Sequence, residues 1–216
     1  MNRIFFVIII IFFPIFILLQ IIEISTFDLK FYEKKYRQYN IEEVVDKDSE
    51  ELMVITEDLL NYLRYKDSEL RLKEEYSERD LIHLVDVELL FQRGFILKRL
   101  SLIISSIAII FLHMKDKKYL YNSFFYSSIL SLGSILVLFI LYFIDFDKLF
   151  TYFHLLLFNN DYWILDPEKD FLIQIFPEGF FMDIFSKITL LFIGFMSIIL
   201  IISYLLKERE RNGKII

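Results

Sequence analysis

The chain has 216 residues, 56% hydrophobic and 25% charged, with 25 Phe, 13 Tyr, three His and no Cys. An apolar fraction above the roughly 45–50% of a soluble domain, beside an ordinary charged fraction, requires the two classes to be segregated along the chain. A mean hydropathy of +0.49 and a net charge of −6 then exclude a soluble globular domain, a secreted protein and a nucleic-acid binder.

Four blocks carry almost no charge: 4–24, 95–114, 124–144 and 188–206. Each is about 20 residues long, which at ~1.5 Å per residue matches a hydrocarbon core of about 30 Å. The first block is longer than the ~7–15 apolar residues of a signal peptide and lacks a small-residue cleavage site, so it reads as an uncleaved span. Pro14 inside it is expected to kink the helix. The segments 1–3, 115–119 and 207–216 hold eight basic residues in 18 positions, among them Arg3, Lys115, Lys118 and Lys207. The segment 145–187 holds three basic residues against eight Asp and Glu. The positive-inside rule therefore predicts cytoplasmic termini, a cytoplasmic turn over 115–123 and a cytoplasmic tail over 207–216. Lys98 and Arg99 run against that rule, but such side chains snorkel. The predicted fold is an all-α membrane protein: four spans, with 25–94 and 145–187 forming an extracellular cap. Small residues repeat at helical spacing in span 2 (Ser101, Ser105) and span 3 (Ser123, Ser127, Ser131), as close packing of antiparallel neighbours requires.

Within 25–94, the aromatic and basic stretch Asp28–Tyr39 is expected to lie along the membrane surface. Ser49 is the expected N-cap of a helix reaching Arg64, with Leu52, Ile55, Leu59, Leu60 and Leu63 at helical period. Ser77-Glu78-Arg79-Asp80 reads as a capping box opening a helix over Leu81–Phe91. Within 145–187, Phe146–Phe158 reads as a helix half-sunk in the outer leaflet. Asn159–Trp163 breaks it, Asp166-Pro167 starts a turn, and Phe171–Phe181 is expected to form a re-entrant or interfacial loop.

His113 sits at the cytoplasmic end of span 2, where an interfacial role suffices; His83 and His154 fall in the outer loops. Asp80 and Asp86, three residues either side of His83, can each reach its ring on one helical face. A carboxylate on one ring nitrogen fixes the tautomer and suits the other to general-base work. With no Cys and no Ser in G-x-S-x-G, an enzyme-bound acyl intermediate lacks a nucleophile, so an acyl transfer would take its nucleophile from the substrate. A metal hydrolase is the rival enzyme reading, although H-E-x-x-H is absent. Glu74-Glu75-x-x-x-Arg79 matches a motif of membrane endopeptidases, but it lies in a polar loop and reads as a solvated charge run.

Phe31-Tyr32, Asp58-Leu59-Leu60-x-Tyr62-Leu63, His83-Leu84-x-Asp86-Val87, Phe153-His154 and the following Asn159, Trp163, Asp166 and Pro167, with Ile175–Phe181, resemble the lipoprotein intramolecular transacylases (Lit) over nearly the whole chain. The resemblance implies an acyltransferase of the cell membrane, with its site at the extracellular face. It would move the sn-2 acyl chain of a diacylglyceryl-cysteine lipoprotein onto the cysteine α-amine. It places the family's histidine pair on His83 and His154. His83, oriented by Asp86, is the expected base, and His154 would stabilise the oxyanion or protonate the leaving oxygen; the opposite assignment stays open. Asn159, Asp161, Trp163 and Asp166 are expected to position the substrate. Membrane lipid is the expected surroundings, and no cofactor, metal, nucleic acid or protein partner is expected. The alternative is a non-catalytic accessory protein that binds lipid.

Overall fold

The computed structural model describes residues 1–66 and 68–212, and the expected basic tail's Lys214 lies outside them. The described residues form α-helices and one 3-10 turn, with no strand. Four helices are long and apolar enough to cross a membrane: α1 (Asn2–Thr26), α5 (Glu78–Lys115), α6 (Lys117–Ile144) and α9 (Glu178–Asn212). The protein is a multi-pass membrane protein whose chain divides into two compact units.

The membrane unit takes Met1–Ile22, Phe95–Ile144 and the chain from Lys187 on. Its interior is narrow, built around Ile9, Ala108, Leu112 and Leu120 and around Ile17, Ile135, Phe192 and Met196. Large apolar side chains such as Ile107, Leu130 and Leu190 are some 60% exposed, as a surface solvated by lipid tails permits (57%, 59% and 60%). Ser101, Ser105, Ser123, Ser127 and Ser128 are buried; Ser105 Oγ donates to the Ser101 carbonyl and Ser123 Oγ to that of Leu120, at 2.6 and 2.7 Å. α1 runs unbroken through Pro14. In place of the expected turn over 115–123, the helices are separated by Asp116 alone. Asp116 Oδ1 accepts from the Tyr119 amide at 3.2 Å, so α6 is capped at once, and Oδ2 accepts from Asn2 Nδ2 at 3.4 Å. Lys207 lies 4.6 Å over the Phe125 ring, near the start of α6.

The cap unit takes Glu23–Gly94 and Asp145–Ser186. It holds α2 (Leu29–Gln38), α3 (Ile41–Val45), α4 (Ser49–Arg64), the 3-10 turn Lys73–Glu75, the first turns of α5, α7 (Phe146–Leu157), α8 (Phe171–Ile175) and about the first two and a half turns of α9. Its core is that of a water-soluble domain. α4 buries Leu52, Ile55, Thr56, Leu59, Leu60 and Leu63 along one stripe. Against it pack Tyr32 and Tyr36 of α2, which are 4% and 1% exposed. The expected surface helix over Asp28–Tyr39 is thus corrected: its aromatic face is turned into the cap core. Thr56 Oγ1 donates to the Leu52 carbonyl at 2.7 Å and so accepts from Tyr36 Oη at 2.5 Å, which gives the buried phenol its partner. The expected re-entrant loop is corrected too. Phe171, Leu172, Ile175, Phe176 and Phe180 fill the same core, with the Phe180 ring 5.2 Å from Tyr32. The cap of α4 is Asp48, one residue before the expected Ser49, and its carboxylate accepts from the Glu51 amide at 2.8 Å. Glu75 pairs with Lys47 at 3.0 Å, in keeping with a solvated charge run.

One close approach requires a glycine. A Cβ on Gly179 would stand 2.6 Å from Tyr39 Oη, which donates to Asp183 at 2.7 Å. Asp183 also takes the buried Lys35 ammonium at 2.6 Å. That pair holds the Asp183 carboxyl below its ordinary value despite its burial, which acts upward.

Candidate active site

The site belongs wholly to the cap unit. α5 opens as the sequence predicts: Ser77 Oγ accepts from the Asp80 amide at 3.0 Å, and the Asp80 carboxylate accepts from the Ser77 amide at 3.1 Å. The box also tethers the second loop. Ser77 Oγ donates to Asp170 at 2.6 Å, and Asp80 accepts from the Leu172 amide at 3.3 Å. Asp80 is fully buried, and burial raises its carboxyl pKa above the ordinary value. With its start fixed, α5 presents Arg79, His83 and Asp86, at i, i+4 and i+7, on one face.

α7 begins on Asp145, which caps the Lys148 amide at 3.0 Å. Its polarity is inverted: Tyr152, Phe153, Leu155 and Leu156 are exposed, while His154 is 6% exposed. His154 Nδ1 lies 2.7 Å from the Phe150 carbonyl. A carbonyl only accepts, so Nδ1 carries the proton and Nε2 is left with a free lone pair. The His83 ring centroid is 6.2 Å away, at an interplanar angle of 38°. Phe158 contacts both imidazoles, at 5.3 and 5.7 Å, and Phe150 and Trp163 cover His154 at 4.2 and 4.7 Å. Burial pushes the His83 imidazole down to about 4; the nearby His154 adds to the fall and Asp86 opposes it. Burial likewise lowers His154, against its bond to Phe150. Both rings are therefore neutral near pH 7.

The other expected positions divide. Neither carboxylate beside His83 holds its Nδ1, which is buried without a hydrogen-bond partner. Asp80 is engaged with backbone amides, and Asp86 Oδ2 accepts from Asn160 Nδ2 at 2.8 Å. Trp163 stacks on His154 at 23°. Asn159 is exposed, and the loop-fixing role falls to its neighbour Asn160, whose Oδ1 also accepts from the Tyr162 amide at 3.1 Å. Asp161 contributes its backbone carbonyl, to Arg79, while its side chain is exposed. The Asp166 carboxylate accepts from the Glu168 amide and from Lys169, at 3.0 and 2.7 Å, and so shapes the turn. Arg79 and Asn160 were not singled out from sequence. The available signal was the spacing of Arg79 and Asp86 about His83. Among the described residues no group of three His, Cys, Asp or Glu side chains is placed to hold a metal ion.

A family model described as lipoprotein intramolecular transacylase Lit matches residues 7–181. The chain belongs to the Lit family. Its structural relatives agree with that family. The membrane integral lipoprotein intramolecular transacylase Lit from Bacillus cereus is 28% identical, with a TM-score of 0.89 and 98% of each chain covered. A variant of that Bacillus cereus Lit with a histidine replaced by alanine is 27% identical at a TM-score of 0.83, covering 98% of this chain and 96% of its own. The comparison with curated proteins gives no match. Membership of the Lit family makes the chain an acyltransferase of the membrane.

Proposed function

We propose that this chain moves the sn-2 acyl group of a diacylglyceryl-cysteine lipoprotein to the cysteine α-amine, His154 and His83 handling the proton. The observation that carries the reading is the convergence of two buried, neutral imidazoles from α5 and α7, one with its tautomer fixed by the Phe150 carbonyl. That bond favours His154 as the base, the reverse of the first assignment above.

The neutral amine attacks the ester carbonyl, a C–N bond forms, and the C–O bond to the sn-2 oxygen breaks. One proton leaves nitrogen and ends on that oxygen. A weakly basic imidazole does not strip an ammonium whose pKa is about 7.7–8.0. It takes the proton as the C–N bond forms and the N–H becomes acidic. The imidazolium so made is a strong acid, well suited to returning the proton to the departing oxygen, with His83 as the second proton-handling group. Amine and ester share one molecule, so holding them together draws on the ~7–11 kcal/mol available from effective molarity.

The site faces outward in this reading. Arg3, Lys115, Lys117, Lys118 and Lys207 lie at the ends of spans that the positive-inside rule makes cytoplasmic, and the connectivity then puts 25–94 and 145–187 outside. Mass spectrometry of lipoprotein N-termini, from a host lacking N-acylation but expressing this chain, tests the reaction. The expected product has an acylated amine and a single glyceryl ester. A free amine with both esters intact overturns the proposal.

A further inference from the structure

The site holds a second orphaned polar atom. Trp163 Nε1, like His83 Nδ1, is buried without a hydrogen-bond partner. An indole N–H only donates, and a buried donor left unpaired is a cost folded proteins rarely carry without a reason. Its position is specific, since the indole lies flat on the base His154 at 4.7 Å. An amine within about 3 Å of His154 Nε2 attacks a carbonyl some 3 Å further on. The carbonyl oxygen therefore develops its charge within reach of the ring stacked on that imidazole.

We propose that the Trp163 indole N–H binds the ester carbonyl oxygen and stabilises the oxyanion, a role that rests on the acyl transfer argued above. Two other donor side chains nearby, Arg79 and Asn160, are engaged. Arg79 Nε donates to the Ile164 carbonyl at 2.8 Å and its guanidinium to the Asp161 carbonyl, and Asn160 Nδ2 is held by Asp86. Those bonds have a second consequence. Arg79 and Asp86 flank His83 on α5, and together they pin both sides of the loop that carries Trp163. The donor is thereby placed relative to both histidines, and Arg79 and Asp86 are positioning residues. Nε1 is covered in the free protein, so the ester reaches it by displacing the side chains that cover it, while the Arg79 and Asp86 attachments hold the loop.

The full-length protein in detergent, acting on a synthetic diacylglyceryl-cysteine peptide, tests the role. W163F keeps a flat apolar ring while removing the donor together with part of the indole's bulk, and W163H controls for the bulk. W163F should lower kcat about 10²–10³-fold, the usual loss for one oxyanion donor, with KM within a few-fold. W163H, which restores an N–H, should recover part of that loss, whereas a packing role would give no recovery. A kcat for W163F within threefold of the wild type overturns the proposal, as does W163H no better than W163F. Trp163 is the chain's single Trp, so wild-type fluorescence supplies a measurement independent of any variant. A peptide whose amine is acetylated cannot react and should shift the emission on binding; saturation without a shift overturns the proposal. An active H154N would instead sink the histidine reading itself, so the two failures are distinguishable.

Discussion

The two units of the molecule use the same apolar alphabet against different solvents. In the cap, apolar residues turn inward and leave an acidic and basic exterior; Leu52 and Ile55 are 0% and 1% exposed. In the membrane unit a narrow interior of Ile9, Leu112, Met196, Ala108 and the buried serines is surrounded by many large aliphatic side chains that face outward. α7 belongs to the cap by its contacts but has the membrane unit's surface, with Leu156 84% exposed. Burial of a titratable group therefore stands out more sharply in the cap, whose remaining charged side chains are mostly exposed. His83, His154 and Asp80 are such groups.

The largest expected effect tests whether the cap alone carries the chemistry. H154N and H83N should each reduce transfer by at least 10²–10⁴-fold, the contribution typical of positioned acid–base groups, with folding retained. Product formation by mass spectrometry reads this, and a lipid-binding accessory protein would tolerate both changes. Chelators should leave the rate unchanged, since no metal ligand set converges among the described residues. The next contrast is one of packing. L52A in the cap should cost about 2–5 kcal/mol by thermal unfolding, while L190A on the lipid-facing surface should cost well under half of that.

Acid should act on the cap alone. His83 titrates near 4 in the folded protein, against about 6.5 unfolded. Between these values the unfolded chain binds the extra proton, so stability present above pH 6.5 falls on acidification and levels off below 4. At most about 3 kcal/mol of this comes from His83, and H83N should reduce the dependence, leaving the part due to His154 and Asp183. The depression of both imidazoles predicts that the acid limb of kcat/KM follows the substrate amine, near pH 8, with no imidazole limb above about 6.5. The smallest effect is expected at Gly179. G179A would displace Tyr39 from Asp183 at about 1–3 kcal/mol, measurable by unfolding, with kcat retained because the pair lies outside the histidine site.

Much of this was legible in sequence, and the misses share a cause. Spans are set by length and polarity against a solvent of fixed thickness, so four of them read directly. The capping box at Ser77 is a local pattern and also read directly. The aromatic content of α2 and of the 171–181 stretch suits a membrane interface, or for the latter a re-entrant loop, as well as it suits a buried core. Only the partner, the stripe of α4, decides between the two, and partners distant in sequence are not written locally. The histidine pair came from residue scarcity and from family resemblance. The proton's place on His154 depends on a carbonyl one helical turn away, and the Asp86–Asn160 bond joins residues 74 apart in sequence, so side-chain spacing could not assign either partner.

The ring of aromatic side chains around His154 has a consequence for fidelity. Any device that activates an amine next to an ester also activates water, and hydrolysis would release the acyl chain as a fatty acid. Phe150, Phe153, Phe158 and Trp163 leave the base 6% exposed, so bulk water finds little of Nε2 to lean on. The substrate's own amine arrives tethered to the ester and has no such barrier. If His154 is the base as proposed, the aromatic cage sets the partition between transfer and wasteful cleavage, and trimming it should show first as free fatty acid rather than as a slower reaction.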